Sequence, residues 1–336
     1  MIDYVALKID QVVTVSQIPF IVYCKEKVRM LKKNIWVSGL MNIETTVKVK
    51  KFPIEYFPID YPFFGINSSV SGVGVNVVKA LKTLDNNVTF ASMIGNDYEG
   101  EHIIKVMENE GIDTSFVRKQ LKATPASVIL YDEEGKRQIY CDLKDIQDTK
   151  YPVAETGIEA ELNNCDIAIL CNTNFNRDII KYAKNSNALI ATDVHVLEDI
   201  HDEYNKEFME NADILFLSDE KIKGSHKDFV RSIADAYNCK IIVLGRGSKG
   251  AMMYVRDDDD IIQMEAVENK KVVNTVGAGD ALFSAFINYY AKGFTPQQSL
   301  YRAQVFASYK VGFNGAACGF ANEEQMQVML SQHLMV

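Results

Sequence analysis

The chain alternates short apolar runs with longer segments in which apolar residues recur at helical spacing. The apolar runs are bounded by polar residues and predict buried strands at 34–39, 88–94, 166–170, 189–192, 214–217 and 241–244. The helical spacing predicts helices at 75–84, 101–110, 229–237 and directly after Asp280. Short strands separated by helices are typical of a mostly parallel sheet that is covered on both faces.

Two regions, 46–62 and 126–141, interrupt this alternation with residues that favour strands. The second contains the turn sequence Asp132-Glu133-Glu134-Gly135 between two β-rich stretches, which predicts a hairpin. Together the two regions predict a small β-flap that projects from the main sheet. The four aspartates at 257–260 predict a solvated hairpin tip. A metal site there is less favoured, because adjacent residues rarely converge on one ion.

Composition and charge narrow the class of protein. The chain has 336 residues, 47% of them hydrophobic, which suits a globular protein with one large α/β domain or two smaller ones. Its net charge of −9 argues against nucleic acid or an anionic membrane as the main partner. The charge does not exclude a phosphorylated ligand, because backbone amides can bind phosphate on an acidic protein.

The cysteines and the N-terminal segment bear on location. The six cysteines form no Cys-x-x-Cys pair, which favours a reduced cytoplasmic compartment with cysteines as small core residues. Residues 1–33 contain an apolar run too short to span a membrane, and basic residues follow this run instead of preceding it as in a secretory signal. We therefore expect 1–33 to be an extension outside the main fold.

Residues 274–286 hold the most informative motif, Asn-Thr-Val-Gly-Ala-Gly-Asp-Ala-Leu-Phe-Ser-Ala-Phe. Small residues let a backbone approach a ligand, and a helix start offers free N–H groups and the positive end of its dipole, which favour phosphate. Asp280 is placed to take a proton from an attacking hydroxyl while the amides of Gly277, Ala278 and Gly279 hold a phosphoryl group. An ordinary glycine turn with Asp280 as helix cap is the alternative.

A second glycine-rich segment, Ser71-Gly72-Val73-Gly74-Val75-Asn76, precedes another helical pattern. A dinucleotide-binding fingerprint would follow a buried strand and would need a small third residue. Polar residues precede this segment and Val77 takes the third position, so that reading is rejected. Two alternatives stay open: a tight loop with Asn76 as helix cap, and a pocket in which bare backbone and the Asn76 amide approach a polyol.

Both segments resemble the signatures of the PfkB family of carbohydrate kinases. Residues 275–280 match the second signature, Asp-Thr-x-Gly-Ala-Gly-Asp, and Asn274 replaces its first Asp. Gly72 and Asn76 match the first signature, Gly-Gly-x-x-x-Asn, with Ser71 in place of the first glycine. Residues from about 34 to 330 are similar to the family in the order and spacing of these features.

The resemblance implies where substrates bind. A sugar pocket would include Gly72, Asn76 and the stretch with Asn42 and Glu44, where Glu44 replaces the usual Asp. The implied ATP-binding residues are Ser218, Glu220, Gly245, Gly247, Gly250, Thr275 and Gly315. Glu220 would hold Mg²⁺ through water. Asn274 would contribute to a K⁺ site without the usual charge, so we expect weaker K⁺ activation than in typical relatives.

The resemblance further implies a ribokinase-like three-layer α/β/α fold with the β-flap as a lid. The expected activity is transfer of the γ-phosphoryl group of ATP to a sugar hydroxyl, with Asp280 as general base and the lid excluding water. Family members often dimerise through this lid, so a homodimer is expected. An unphosphorylated hexose or a sugar acid is the favoured acceptor. A nucleoside kinase of the same fold and a non-catalytic sugar- or nucleotide-binding regulator are the alternatives.

Overall fold

A computed structural model of the chain describes residues 31–268 and 272–333. Lys32–Val336 form one compact unit, and every helix and strand named below belongs to that unit. The extension predicted over 1–33 lies almost wholly outside the described residues and stays a prediction.

Strands and helices alternate through most of the described chain. The strands are β1 (Asn34–Ser38), β2 (Asn42–Lys48), β3 (Ile66–Ser71), β4 (Asn87–Gly95), β5 (Phe116–Leu121), β6 (Ala126–Tyr131), β7 (Arg137–Asp142), β8 (Ile167–Leu170), β9 (Leu189–Val196), β10 (Ile214–Ser218), β11 (Ile241–Gly245), β12 (Ala251–Val255) and β13 (Asp260–Met264). The helices are α1 (Val73–Thr83), α2 (Tyr98–Asn109), α3 (Ile158–Asn163), α4 (Asn176–Asn185), α5 (Lys206–Asn211), α6 (His226–Ala236), α7 (Ala278–Ala291), α8 (Pro296–Lys310) and α9 (Glu323–His333). The strands and helices predicted from the alternating pattern are all present, with ends that differ by a few residues.

A nine-stranded sheet forms the middle layer, in the order β13-β12-β11-β10-β9-β8-β1-β4-β5. From β11 to β5 the neighbouring strands run parallel, and β12 with β13 adds an antiparallel hairpin at one edge. The direction of winding reverses at β1, which pairs with β8 on one side and β4 on the other. A reversal of this kind opens a crevice at the carboxyl ends of the strands, where ligands of such sheets bind.

Helices cover both faces of this sheet. Leu215 and Leu217 on β10 belong to a buried cluster that includes residues of α3, α4, α5 and α6. Phe216, between them, packs edge-on against Phe283 and Phe286 of α7, with ring centroids 4.9 and 5.3 Å apart. Since successive side chains of a strand point to opposite faces, the two sets of helices lie on opposite sides. The predicted three-layer α/β/α architecture is confirmed.

Strands β3, β2, β6 and β7 form a separate small sheet in that order. The hairpin predicted at 126–141 is confirmed as the antiparallel pair β6 and β7, and β2 joins β3 antiparallel and β6 in parallel. The strand prediction over 46–62 is wrong beyond Lys48, because residues 49–65 form an irregular connection. Prolines within this connection lack the N–H groups that a sheet ladder requires.

Asp257, Asp258 and Asp259 lie in the turn between β12 and β13, as predicted for a hairpin tip, and Asp260 is the first residue of β13. Asp259 accepts hydrogen bonds from Arg231 and from the hydroxyl of Tyr254. The four side chains are exposed, so this acidic run is accounted for by solvent and by one neighbouring guanidinium.

None of the described helices is both long and apolar enough to cross a membrane. The cysteines that the structure describes are free thiols. Cys171 and Cys239 are buried, as expected of small core residues, whereas Cys141 and Cys318 are exposed, so for these two the expectation is wrong. The cytoplasmic location stays a prediction.

Asp97 caps helix α2 and ties it to the segment before β6. Its carboxylate accepts hydrogen bonds from the N–H groups of Gly100 at 2.9 Å and Thr124 at 2.7 Å, and from the Thr124 hydroxyl. Burial alone would raise the pKa of Asp97, but the hydrogen bonds from Thr124 and Gly100 hold this pKa below its usual value. The ionised carboxylate therefore stabilises the folded state.

We expect Asp97→Ala to lower the free energy of unfolding by about 1–2 kcal/mol at neutral pH, because a helix cap and a charged acceptor are lost. Because the folded-state pKa is lowered, this contribution is present above the unfolded-state pKa and is lost as the pH falls through the folded-state pKa. Urea unfolding of both proteins at neutral and acidic pH measures the effect. A stability difference that persists unchanged in acid would contradict this role.

Candidate active site

Helix α7 begins directly after Gly277, in the motif predicted to bind an anion. Gly277 has a φ of +78°, a left-handed conformation that residues with a side chain disfavour. A Cβ at this position would also lie 2.7 Å from the carbonyl oxygen of Ala316. At Gly279, by contrast, a Cβ would project into open space. At Gly277 the motif therefore packs against residues 311–322, the loop between α8 and α9 that we call the C-terminal loop. At Gly279 it faces open space.

The amides of this first turn differ in their availability. The N–H of Ala278 donates to the carbonyl of Thr275 at 3.2 Å. The N–H groups of Gly279 and Asp280 lie in the first turn of α7, where an α-helix provides no acceptor of its own. Together with the positive end of the helix dipole, these groups form a site suited to an anion.

A chain of hydrogen bonds connects Asp280 to the small sheet. Asn76 on α1 donates from Nδ2 to Asp280 Oδ2 at 2.7 Å. The Ser71 hydroxyl lies 3.3 Å from Asn76 Oδ1 and 3.2 Å from Glu44 Oε2, and its single proton can serve one of these acceptors at a time. Asn76, Ser71 and Glu44 are buried. These hydrogen bonds therefore fix Asp280 relative to α1 and β2.

Asp280 also lies beside Asp193 and His195 near the carboxyl end of β9. Potential ligand atoms of the three residues lie within 4.8 Å of one another, and His195 Nδ1 is 3.5 Å from Asp193 Oδ2. Burial raises the pKa of Asp280, whereas the positive charge of protonated His195 and the hydrogen bond from Asn76 lower it. The negative charge of Asp193 raises this pKa again.

Neither Asp193 nor His195 is among the residues predicted from the sequence. The available signal was the position of polar residues at the end of a buried parallel strand, which borders the crevice of such a sheet. The left-handed backbone of His195, with a φ of +60°, could not be read from the chain.

The small sheet carries buried acceptors that lack a partner among the described residues. Asn42 donates from Nδ2 to Ser127 Oγ at 3.0 Å, but Asn42 Oδ1 accepts nothing. Glu44 Oε1 is likewise buried and unpaired. Burial raises the pKa of Glu44, the hydrogen bond from Ser71 opposes this effect, and the charge of Asp280 adds to it. Unpaired buried acceptors are costly, so they indicate a ligand that donates hydrogen bonds.

Two of the glycines predicted to approach a ligand are needed for the packing of one backbone segment against another. Gly72 has a φ of +105°, and a Cβ there would lie 2.6 Å from the carbonyl oxygen of Leu40. Gly250 has a φ of +84°, and a Cβ there would overlap the carbonyl oxygen of Met264. At both positions the close neighbour is another stretch of backbone.

Strand β7 reaches the anion-binding motif directly. Arg137 donates from Nη1 to the hydroxyl of Thr275 at 3.2 Å, although the two residues are far apart in the chain. Both residues are exposed, so the β6–β7 hairpin lies at the open side of the crevice.

The ends of β10 and β11 carry unpaired donors. Ser218 pairs with Gly245 in the sheet register, and a Cβ at Gly245 would lie 3.9 Å from Leu282 of α7. The Ser218 hydroxyl and two guanidinium nitrogens of Arg246, Nε and Nη1, are buried with no hydrogen-bond partner among the described residues. Buried guanidinium nitrogens without a partner indicate an anionic ligand.

Arg246 is not among the residues predicted from the sequence. That prediction includes only the glycines around it. A basic residue within a glycine-rich strand-to-turn segment was the available signal. Of the predicted residues nearby, Gly247 has a φ of +54° with open space around it, and Glu220 is exposed.

The predicted K⁺ ligand is engaged in a local turn. Asn274 Oδ1 accepts a hydrogen bond from the N–H of Val276 at 2.9 Å. Gly315, which has a φ of +83°, presents its carbonyl to Lys310 Nζ at 2.7 Å. The structure thus brings the anion-binding motif and the C-terminal loop together around a lysine.

The three-layer α/β/α fold, the N-terminus of α7 and the carboxylate beside it are those of a ribokinase-like kinase. Residues 32–320 match the pfkB family carbohydrate kinases, and the chain belongs to that family. It is therefore an ATP-binding phosphotransferase with an alcohol group as acceptor.

Individual relatives share the fold and differ in their acceptors. The chain is 25% identical over 261 residues to an ATP-dependent 6-phosphofructokinase of Thermoanaerobacterium thermosaccharolyticum, covering 73% of this chain and 80% of that protein. It is 22% identical over 312 residues to a nucleoside kinase of Methanocaldococcus jannaschii, covering 90% and 98%. A structure described as a ribokinase II from E. coli in complex with ATP and Mg²⁺ matches with a TM-score of 0.71 and 18% identity, covering 90% of this chain and 100% of that one.

We expect Gly277→Ala to lower the free energy of unfolding by roughly 1–3 kcal/mol, since alanine would meet both the left-handed backbone and the Ala316 carbonyl. Gly279→Ala is the matched control, because its methyl group faces open space and alanine favours a helix. This control should keep its stability but bind ATP more weakly, since the methyl group projects into the crevice. Urea unfolding and calorimetric ATP titration measure these effects. Equal losses of stability in the two variants would contradict the assigned geometry.

Proposed function

We propose that this protein is an ATP-dependent sugar kinase in which Asp280 is the general base. The observation that carries the proposal is the Asp280 carboxylate, which Asn76 holds at the open first turn of α7 by a hydrogen bond of 2.7 Å. A carboxylate so placed can accept a proton from a hydroxyl at the point where the helix dipole attracts a phosphoryl group.

In this mechanism the acceptor hydroxyl lies beside Asp280 and loses its proton as its oxygen attacks the γ-phosphoryl group of ATP. The amides of Gly277, Ala278 and Gly279 stabilise the negative charge on the phosphoryl oxygens. Because the Ala278 amide also donates to Thr275, we assign more of this stabilisation to Gly277 and Gly279. Positioning and charge stabilisation supply most of the rate, since phosphoryl transfer asks little covalent chemistry of a protein.

The sugar is assigned to the space between the small sheet and α1. The unpaired acceptors Asn42 Oδ1 and Glu44 Oε1 support this assignment, because sugar hydroxyls are donors that could satisfy them. Asn76 lies between these residues and Asp280 and would orient the reacting hydroxyl. Gly72 contributes by allowing the close approach of α1 to the loop after β1.

ATP is assigned to the crevice along the ends of β10 and β11. The unpaired Nε and Nη1 of Arg246 and the Ser218 hydroxyl support this assignment, because phosphate oxygens accept hydrogen bonds from such donors. The other residues proposed to line the nucleotide site are Gly245, Gly247, Gly250, Thr275 and Gly315. When bound, Mg²⁺ neutralises charge on the phosphate oxygens, and the exposed carboxylate of Glu220 is proposed to hold it through water.

The choice of acceptor follows from the buried polar groups beside the small sheet. The buried hydroxyl-binding groups favour an unphosphorylated hexose or a related sugar acid, and Arg137 at the open side is the nearby cation that a carboxylate would meet. A nucleoside kinase is the second candidate, supported by the match to the nucleoside kinase of Methanocaldococcus jannaschii. A non-catalytic sugar- or nucleotide-binding regulator is less favoured, because Asp280 and its neighbouring glycines are intact.

The small sheet is proposed to act as a lid and as a dimer surface. The hydrogen bond between Arg137 and Thr275 supports closure of the hairpin over the crevice. The connection at 49–65 exposes several large apolar side chains, among them Tyr56, Phe63 and Phe64, and exposed apolar patches often mark protein contacts. The homodimer stays a prediction.

A screen of ADP release across sugars, sugar acids and nucleosides tests the proposal. We expect turnover with a sugar or a sugar acid, and we expect Asp280→Asn to reduce that turnover by roughly 10²–10⁴-fold while ATP affinity changes little. Near-normal turnover in this variant would end the general-base assignment. Turnover with nucleosides alone would establish the second candidate, and binding without turnover of any acceptor would favour the regulator.

The pH dependence of kcat/KM tests the electrostatics of Asp280. Because the base must be ionised and burial raises its pKa, the rate should fall in acid at a pH above the ordinary pKa of an aspartate. His195→Asn removes a positive charge that lowers this pKa, and asparagine tolerates the left-handed backbone, so the acid limb should move to higher pH. His201→Asn, at an exposed position, is the control. An acid limb that stays in place or moves to lower pH in His195→Asn would contradict the assignment.

A further inference from the structure

Lys310 is the last residue of α8, and its side chain is fully buried at 0% exposure. Its Nζ donates to the carbonyl of Val276 at 3.3 Å and to the carbonyl of Gly315 at 2.7 Å. These carbonyls belong to the anion-binding motif and to the C-terminal loop. A single ammonium group therefore joins the two segments that meet at Gly277.

A buried cation of this kind is costly, and its partners are uncharged. Lys292, the comparable lysine after α7, forms an ion pair with Glu323, whereas no ion pair between described residues includes Lys310. Burial lowers the pKa of Lys310, and the nearby groups Cys318, Asp280 and Glu44 oppose this effect. Removing an ammonium group from water without an adjacent counter-charge is unfavourable, so a role at this site is the simplest reason for its presence.

The geometry of the peptide unit shows what the ammonium group controls. In a trans peptide the C=O and the following N–H point in opposite directions. The Val276 carbonyl is directed to Lys310, so the Gly277 N–H of the same peptide points away from it. Asn274 Oδ1 meanwhile holds the Val276 N–H at 2.9 Å. Both peptide units around Val276 are thus fixed, and with them the direction of the Gly277 amide.

We propose that Lys310 is a positioning residue, a tethered cation that aligns the phosphate-binding amides at the start of α7 and makes an added monovalent cation unnecessary. Carbonyl oxygens are the ligands that a monovalent metal ion would take between these two loops, and here the ammonium group already occupies two of them. The inference rests on the proposed kinase function, because the amides that Lys310 aligns are those assigned to the phosphoryl group.

The first test compares K⁺ with tetramethylammonium at equal ionic strength on the wild-type protein. We expect melting temperature, ATP affinity and turnover to be the same in both salts, because the cation is part of the chain. A steep increase of any of these quantities with K⁺ would overturn the inference. This measurement needs no variant, so it stays decisive even where a substituted protein fails to fold.

The second test uses Lys310→Ala and Lys310→Met. The alanine variant leaves room for an ion, so we expect its ATP affinity to fall by roughly tenfold or more and to recover with K⁺ or NH₄⁺ but not with tetramethylammonium. The methionine variant fills the space with an uncharged chain, so it should show the same loss without recovery. Lys292→Ala, which also removes a buried lysine, should lose stability without any recovery specific to K⁺.

Unchanged ATP affinity in both Lys310 variants, or identical behaviour of the alanine variant in all salts, would overturn the inference. Melting and ATP binding are read without turnover, so these results are separate from the fate of the kinase assignment. Absence of turnover with every acceptor, together with the expected cation response, would refute the proposed activity and leave Lys310 as the group that positions the loop.

Discussion

The hydrogen bond between Asn76 and Asp280 is the contact on which the candidate site depends. It joins the first turns of α1 and α7, two helices far apart in the chain that pack against each other. Because this hydrogen bond joins the two side chains, α7, which is proposed to receive the phosphoryl group, and α1, which is proposed to border the sugar, keep a fixed separation. Ser71 and Glu44 extend the same hydrogen-bond network to β2. The small sheet is therefore held in place relative to the same two helices.

The crevice is divided by hydrogen-bonding character. On the side of the small sheet the unpaired groups are acceptors, Asn42 Oδ1 and Glu44 Oε1. On the side of β10 and β11 they are donors, the Ser218 hydroxyl and the Arg246 guanidinium. Asp280 and the free amides in the first turn of α7 lie between these acceptors and these donors. A molecule rich in hydroxyl groups therefore suits one end and a molecule rich in phosphate oxygens the other, in keeping with the sites proposed for the sugar and for ATP.

Local sequence predicted the sheet and the motif at Asp280 because both are encoded by neighbouring residues. Buried parallel strands such as 241–244 are continuous apolar runs. The small residues in 274–280 predict the start of a helix without reference to the rest of the chain. His195 and Lys310 are not among the predicted residues because each acquires its meaning only from partners that folding brings to it, and Arg246 is not among them because only folding buries two of its guanidinium nitrogens without a partner. The region 46–62 is predicted as strand because its residues favour strands, but prolines beyond Lys48 remove ladder donors, so this part forms an irregular connection.

The parallel pairing of β2 with β6 has a consequence for how the chain assembles. These strands come from two insertions separated by α1, β4, α2 and β5, so neither hairpin alone can form the small sheet. The entropy of closing that long loop is overcome only after the main sheet has brought the two insertions side by side. The small sheet is therefore expected to form late and to open first in native-state hydrogen exchange, giving the crevice a cover that can detach while the nine-stranded core stays intact.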